Sequence, residues 1–526
     1  MITSVQIKNL RSLRDTGFVE IKPITILVGA NSSGKSTFLR SFPLLTQSVV
    51  KSLRGSISWF DDSYVDFGDY TTAKCQFANS QECIEFHYKI ENMLNFPYSK
   101  YGFYRTTSYL TAPAKVKPLL RSINVTLSFM DDNRGTFVND IAIETNGISI
   151  EIGIPKRDAK GWVKIDGKEI LLKSEFVFHF SDAQVILPWL ISSSIYSENF
   201  EFIDSLKAEI QKFVVEHSDK KTKKLERANF VFDLWECDKL SFLNKLVNSN
   251  GLQSFKRYVR KWDTKNEEFI YLYDRLTLYH ILSIYPSIDK EIGGMYRCCS
   301  YIAPARAGAS RYYRTQGLQV SDIDAYGRNL PEFVASLSTA ALKSYNDYTM
   351  SIFNVKVKKE NSPGHQSLIL ETNNGKYNMA DVGFGYSQIL PIITKLWFYQ
   401  YSSSKSFDFW RMVGQRYLVT MEQPELHLHP AYQAKIADAF ISSVFAKNDD
   451  GTINNNMPRI IIETHSESII NRIGRRIREG TLPTDFVNVV LFEKGVDDKE
   501  THVIQTKYNE KGQLENWPIG FFDPID

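Results

Sequence analysis

The chain is short of most features that assign a class at a glance. Its five cysteines, Cys75, Cys83, Cys237, Cys298 and Cys299, form no C-x-x-C pair and show no metal-ligand spacing. An odd, scattered set fits reduced thiols in a cytoplasmic protein and argues against a disulfide framework. No run of about 18 apolar residues occurs, so no membrane span is read and no membrane partner is expected. Met1 to Val5 carry no basic stretch followed by an apolar one, so no secretory signal is read either. Neither charge sign dominates: 63 Lys and Arg against 60 Asp and Glu leave a formal charge of +3. Any nucleic-acid surface must therefore be local. No internal repeat or low-complexity tract stands out. What is present is a 526-residue chain with 43% hydrophobic and 23% charged residues. That is enough for several domains, or for one large α/β unit with insertions.

Along the chain, Ser4 to Leu10 alternates apolar and polar residues, and Thr25 to Val28 is a short β-branched run; both predict strands. From about 65 to 180 strands dominate. Val125, Leu127 and Phe129 alternate, and Asn146-Gly147 and Asp166-Gly167 mark two hairpin turns, because those dipeptides tolerate positive φ. From about 185 to 290 the rhythm turns helical, carried by Phe202, Leu206, Ile210, Phe213 and Val214 and then by Tyr271, Arg275, Leu278 and Leu282. A lysine-rich turn (Lys220, Lys221, Lys223, Lys224) interrupts it. After 300 the α/β signals return: a hairpin at Asn374-Gly375, a helix after Ser387, and strands at Tyr417 to Met421 and Arg459 to Ile462. The expected domains are an N-terminal lobe at 1–184, a helical insertion at 185–300 and a C-terminal lobe at 301–526.

Four pieces carry chemistry. Gly29 to Ser36 reads G-x-x-x-x-G-K-S between a predicted strand and a predicted helix. Small residues let successive backbone N–H groups curl around phosphate while the helix points its positive end at the anion. Lys35 is expected on the β- and γ-phosphates and the Ser36 hydroxyl on Mg²⁺. Nearly four hundred residues later, Tyr417 to Met421 runs into Glu422-Gln423-Pro424-Glu425-Leu426-His427-Leu428-His429-Pro430. An apolar strand that ends in a carboxylate sets negative charge where the metal lies beside a P-loop, which makes Glu422 a Walker B candidate and a metal residue. His427 and His429, two apart with no third ligand, fall short of a closed zinc site. Between these pieces, Asp381-Val382-Gly383-Phe384-Gly385-Tyr386-Ser387-Gln388 places two glycines before Ser387, read as a helix cap that offers N–H groups to an anion. Last, Ile460-Ile461-Ile462-Glu463-Thr464-His465-Ser466-Glu467 is a strand ending in a polar cluster with one histidine.

These pieces, in this order, resemble the ABC-type ATPase heads of the RecF, SMC and overcoming-lysogenization-defect group. The opening Ile7-Lys8-Asn9-Leu10-Arg11-Ser12-Leu13 looks like that group's first strand, and Tyr301-Ile302-Ala303-Pro304-Ala305-Arg306 resembles a segment of its bacterial members. The ending Asn516-Trp517-Pro518-Ile519-Gly520-Phe521-Phe522-Asp523 is similar to the tail of a bacterial ATPase family within the group. Most of 75 to 300 is not covered. The resemblance implies an α/β fold, mixed sheets around a P-loop helix with a helical insertion, and ATP with Mg²⁺ as cofactors. It implies that Asn31, Ser32, Ser33, Gly34, Lys35, Ser36 and Thr37 hold the phosphates, that Glu422 is the Walker B acid and that His465 senses the γ-phosphate. Gly383, Gly385 and Ser387 fall in the signature motif, which in the family touches the nucleotide of the opposite subunit, so a homodimer or higher homo-oligomer is implied. Leu426 to His429 falls at the D-loop, on the dimer seam.

One departure stands out. The position after the Walker B acid, usually a glutamate that orients water, is Gln423. An amide positions water but does not accept its proton. Turnover is therefore expected to be slow, or Glu425 to act in its place. Gln47 is a weak candidate for the Q-loop glutamine. Only about sixty residues follow His465, fewer than a nuclease domain of the usual size needs, and Asp497-Asp498 reads as a turn. The favoured expectation is therefore an ATPase that scaffolds or restrains a separate effector nuclease, as in PtuA-like and AriA-like anti-phage defence ATPases. The alternatives are a RecF- or SMC-like DNA-binding ATPase and a nucleotide-gated scaffold without significant turnover. Two stretches bear on DNA: Phe255-Lys256-Arg257-Tyr258-Val259-Arg260-Lys261-Trp262 interleaves bases with aromatics, and Arg472, Arg475, Arg476 and Arg478 give a basic helix. The plainer reading of each is a solvated helix face.

Overall fold

A computed structural model describes residues 1–51, 55–91, 122–173, 175–179, 186–192, 202–218, 225–314, 320, 322–405, 417–445, 454, 457–494 and 500–517. The lysine-rich turn at 220–224, Asp497-Asp498 and the tail from Pro518 lie outside them. The chain forms two compact units. One comprises Thr3–Val50, Ser58–Glu82 and Gly294–Asp526; the other comprises Met1–Ile2, Lys51–Ile57 and Cys83–Gly293. Composition shifts at 184 and 300, whereas the spatial division falls near 82 and 293. The reason lies in packing: the strands after Glu82 share apolar contacts with the helices that follow, as where the Phe176 ring packs tilted against Phe202 with centroids 4.6 Å apart.

The larger unit is built on a six-stranded sheet. In spatial order its strands are Cys299–Ile302, Leu418–Glu422, Arg459–Glu463, Ile24–Gly29, Val487–Glu493 and His502–Thr506. The first five are parallel and the last is antiparallel. Parallel strands covered on both faces need near-continuous apolar sequence, which is what Ile24–Gly29, Leu418–Glu422 and Arg459–Glu463 supply, buried at every position. Ile26, Val419, Ile462, Leu390, Phe440 and Ile473 form part of its core at 0% exposure, each contributing about 1.5–3 kcal/mol by burial. Around the sheet run the helices Lys35–Val50, Phe384–Lys405, Pro430–Val444 and Glu467–Arg478. A small antiparallel sheet of Tyr313–Arg314, His365–Thr372, Lys356–Ser362 and Gly375–Asn378 belongs to the same unit.

The smaller unit is an antiparallel meander of Ile84–Glu91, Ser122–Asp132, Gly135–Thr145, Ile148–Gly153, Trp162–Ile165 and Lys168–Glu169, paired in sequence order. Its two tight turns fall on Asn146-Gly147, at φ 47° and 79°, and on Asp166-Gly167, at φ 50° and 76°. Those are the left-handed pairs that a two-residue hairpin requires. Helices follow at Phe202–Glu216, Lys239–Asn248, Gln253–Val259 and Glu267–Arg297. The aromatic and basic stretch from Phe255 to Trp262 does not present its rings outward. Phe255 is 1% and Trp262 8% exposed, and the Tyr258 hydroxyl donates to the Glu268 carboxylate. Only the cations Arg257, Arg260 and Lys261 remain exposed there.

Candidate functional site

The P-loop leaves the sheet at Gly29 and enters its helix at Lys35. At Gly29, φ is +151° and a Cβ would stand 2.2 Å from the Phe492 carbonyl oxygen; at Gly34, φ is +96° and a Cβ would meet Leu13 at 2.8 Å. Glycine alone fits both positions. Asn31 and Ser32 are exposed on the loop, Ser33 and Lys35 are buried, and Ser36 and Thr37 are half-buried. The Lys35 ammonium donates to the carbonyls of Gly29 at 2.9 Å and Ala30 at 2.6 Å. Burial holds its pKa below the usual lysine value, with the Glu463 carboxylate pulling the other way.

Two carboxylates close adjacent parallel strands. Glu422 and Glu463 are register partners, so their side chains emerge at one level of the sheet and on one face. Their surroundings differ. Glu422 accepts both prongs of the Arg40 guanidinium, at 2.7 Å each, and the Tyr301 hydroxyl at 2.6 Å. Those bonds hold the Arg40 pKa above its ordinary value, and burial together with the Glu422 charge pushes the Tyr301 phenol up. Glu463 instead accepts the Ser36 hydroxyl at 2.8 Å, and its second oxygen is buried without a hydrogen-bond partner. Burial, then the charge of Glu422, raises the Glu463 carboxyl above the usual range. The acid bonded to the P-loop serine is thus Glu463, and Glu422, read from the sequence as the Walker B acid, lies abreast of it on the next strand.

The turn after Glu422 is strained and pinned. Gln423 has φ 41°, and its N–H donates to the Glu463 carbonyl at 2.8 Å. Glu425 accepts the backbone N–H of His465 at 2.7 Å, while its other oxygen is buried and unpartnered. Burial pushes the Glu425 carboxyl up, against the pull of the His465 N–H and of Arg306. Arg306 is 5% exposed and donates to the carbonyls of Ala303 at 3.2 Å and Gln423 at 3.4 Å. Burial draws its pKa down to about 10. The Arg306 carbonyl in turn accepts the Gln388 amide at 3.2 Å, so one buried arginine segment joins the strand-end turn to the helix of the glycine-rich segment. The His465 ring is open to solvent; partial desolvation, then the Lys35 charge, holds its pKa below the ordinary histidine value.

Gly383, at φ +76°, is exposed, and nothing lies within 4 Å of where its Cβ would stand; a Cβ on Gly385 would meet only Leu428, at 4.0 Å. The helix begins at Phe384, which corrects the expectation that Ser387 caps it. Ser387 lies inside the helix and is 3% exposed, because the left-handed Gly383 turns the chain four residues earlier than the cap pattern suggested. The cap role at the next helix goes to His429, whose Nδ1 accepts the Ala431 N–H at 3.2 Å. Gln47, proposed above for the Q-loop, is 0% exposed. It donates to the Ser58 carbonyl and accepts the Val65 N–H, holding its own loop. The basic helix Glu467–Arg478 is largely neutralised within the unit: Arg472 and Arg476 bind Asp438, and Arg475 and Arg476 bind Glu479.

Four groups of this site escaped the sequence reading as site residues: Arg40, Tyr301, Arg306 and Glu463. Two signals were available: Glu463 closes an apolar β-branched strand just as Glu422 does, and Tyr301 and Arg306 bound the segment already quoted for its resemblance. The donor set suits a magnesium nucleotide. It offers hard oxygen ligands from Ser36 and from an acid with an unpartnered oxygen, an ammonium on the loop for phosphate, and a helix N-terminus beneath it. Magnesium there would neutralise charge on the phosphates.

A P-loop at the carboxyl end of a parallel sheet, with acids on the neighbouring strand ends, defines a nucleotide-hydrolase head. The chain belongs to the AAA ATPase domain family, whose model matches residues 1–285 and 315–470, and it is an ATP-binding ATPase with an α/β P-loop fold and a helical insertion. No curated protein matches the chain. Among solved structures it is similar to an SMC head bound to the C-winged helix domain of ScpA, at 9% identity and TM-score 0.33, covering 96% of this chain and 98% of that one. A Pyrococcus furiosus SMC head with an extended coiled coil, bound to the C-terminal domain of ScpA, gives 9%, 0.32 and 96% of each chain. The Thermotoga maritima SMC head gives 6% and 0.30, over 96% of this chain and 98% of that one. Among the described residues no helix is long and apolar enough to cross a membrane.

Proposed function

We propose that this ATPase hydrolyses ATP slowly at sites completed by a second copy, and that its nucleotide state restrains or releases a separate effector nuclease in bacterial anti-phage defence. The observation that carries the shared site is the Gly383–Gly385 turn. Its Gly383 is exposed and left-handed at the start of a long helix, with nothing within 4 Å of where a Cβ would stand, which suits a surface for a partner's phosphates. In this reading Lys35 and the loop hold the triphosphate, Ser36 and a strand-end acid hold magnesium, and His465 meets the γ-phosphate. Gln423 orients water, and Glu425 is the acid placed to take its proton. Nucleotide and interface then share atoms, so ATP favours the closed pair and hydrolysis releases it.

Light scattering with and without Mg-ATP tests this directly. The mass doubles with ATP in the wild type and in Glu425→Gln, and stays monomeric in Lys35→Ala and in Gly385→Arg. A mass independent of nucleotide in every variant defeats the shared site. The effector role rests on resemblance to PtuA-like and AriA-like proteins; co-purification of a nuclease encoded by a neighbouring gene, lost on adding ATP or on withholding it, tests it. The DNA-clamp alternative loses its stacking surface, because Phe255 and Trp262 face inward. A steep, ATP-dependent salt slope for duplex binding would restore it.

A further inference from the structure

We propose that Gln433 is a positioning residue that ties the loop from Leu426 to His429 to His465, so that arrival of the second copy sets the histidine ring on the nucleotide held in the same subunit. This rests on the shared-site reading above and adds the residue through which the seam reaches the site. The turn that carries Gln423 and Glu425 is joined to the neighbouring strand end at three levels. At the first, the Gln423 N–H donates to the Glu463 carbonyl at 2.8 Å. At the second, Glu425 accepts the His465 N–H at 2.7 Å. The third lies beyond the ends of both strands, where no ladder sets the spacing, and it is made by the Gln433 side chain.

Gln433 stands in the first turn of the helix Pro430–Val444. Its amide nitrogen donates to the Leu428 carbonyl at 2.9 Å, and its amide oxygen accepts the Ser466 hydroxyl at 2.6 Å. Leu428 belongs to the seam loop, whose shape is held locally. The Leu428 N–H donates to the Glu425 carbonyl at 3.0 Å, and His427 beside it is left-handed at φ 62°. Ser466 follows His465 directly. It is 5% exposed and caps the helix Glu467–Arg478 by accepting the Ile469 N–H at 3.1 Å. An amide suits this place because one planar group supplies both a donor and an acceptor. A carboxylate there would set negative charge against the Leu428 carbonyl. His427 and His429 are exposed on the loop, and the His465 ring is exposed as well. A push on the loop is therefore carried through two hydrogen bonds to the residue next to His465.

The test asks whether Gln433 acts through the histidine. Mg-ATP turnover is measured for wild type, Gln433→Met, His465→Ala and the double variant, alongside light scattering with and without Mg-ATP. In Gln433→Met the mass still doubles with ATP and KM stays near that of the wild type, while kcat falls about 10-fold, the value of the lost hydrogen bonds. In the His465→Ala background the same change costs nothing further, to within about 2-fold, because the group it positions is already gone. Gln433→Glu keeps the acceptor for Ser466 and loses the donor to Leu428. It gives an intermediate kcat and decides the matter should the methionine variant fail to fold. Costs that multiply in the double variant overturn the proposal, since Gln433 then acts on something other than His465. Wild-type kcat in both Gln433 variants overturns it too, and leaves the shared-site reading intact. A wild-type mass that ignores nucleotide sinks both.

Discussion

Consider the double-mutant cycle on Arg40 and Glu422, which probes whether the clamp is a structural strut. Arg40 is one-third exposed at 34%, while the Glu422 side chain is 3% exposed, so the pair is buried on the acid side only. Removing one member of a fully buried pair costs about 3–5 kcal/mol, since it leaves an unpaired charge. With solvent reaching the guanidinium, Arg40→Ala is expected to cost about 2–3 kcal/mol. Glu422→Gln keeps an acceptor for the Tyr301 hydroxyl and for one Arg40 N–H, and is expected to cost about 1–2 kcal/mol. The double variant should cost less than the two added together, because the second change removes the charge that the first one strands. The assay is denaturant unfolding of the larger unit without nucleotide, for wild type, both single variants and the double. Additivity to within about 0.5 kcal/mol would show that the two side chains do not act as a pair and would refute the reasoning.

Other outcomes follow from the same geometry. Lys35→Ala should weaken ATP binding by about 10- to 100-fold, the value of a charge-assisted contact, with an unchanged circular dichroism spectrum; unaltered affinity contradicts the P-loop assignment. Glu425→Gln keeps an acceptor for the His465 N–H but no basic group, so turnover should fall by about 10²-fold or more with binding retained; equal turnover removes Glu425 as the base. Gln423→Glu should raise single-turnover hydrolysis, and an unchanged rate would mean the amide does not limit it. In the smaller unit, the His280 ring stacks on Trp235 at 4.5 Å, and its buried Nε2 has no partner. Burial holds its pKa at about 4 against 6.5 for the free side chain. As pH falls through 6.5 the unfolded chain takes up the proton first, so stability declines between 6.5 and about 4, by about 3 kcal/mol in all. A His280→Phe variant with the same pH slope as the wild type contradicts this.

The parts legible in the sequence are those that local chemistry decides. Gly29 and Gly34 must hold positive φ beside crowded neighbours, and Asn146-Gly147 and Asp166-Gly167 must turn tightly, so each announces itself without any tertiary knowledge. The apolar strands ending at Glu422 and Glu463 are visible for the same reason. What those acids do depends on neighbours far away in sequence. Tyr301 reaches Glu422 only because its strand lies in parallel register beside it, and Ser36 meets Glu463 only because the Arg459–Glu463 strand intervenes between the Glu422 strand and the P-loop strand. No periodicity encodes strand order. The same limit left the two basic stretches open to two readings. The rings of Phe255 and Trp262 look like a stacking surface until the helices that bury them are in place. The arginines after Ser466 look like a basic patch until Asp438 and Glu479 are seen beside them. Ser387 resembled a cap because it precedes a helical rhythm, but the left-handed Gly383 lets the helix start earlier.

The central claim, a nucleotide site assembled from two copies, is tested most directly by mixing two inactive variants. Lys35→Ala lacks a working phosphate loop and Gly385→Arg lacks a working glycine turn, so each alone should turn over no ATP. In a mixed pair, one site combines the intact loop of the second variant with the intact turn of the first. An equimolar mixture is then expected to recover roughly a quarter of wild-type turnover, from random pairing with one good site in each mixed dimer. A mixture as inactive as its components, under conditions where mixed pairs are shown to form, would contradict the shared site.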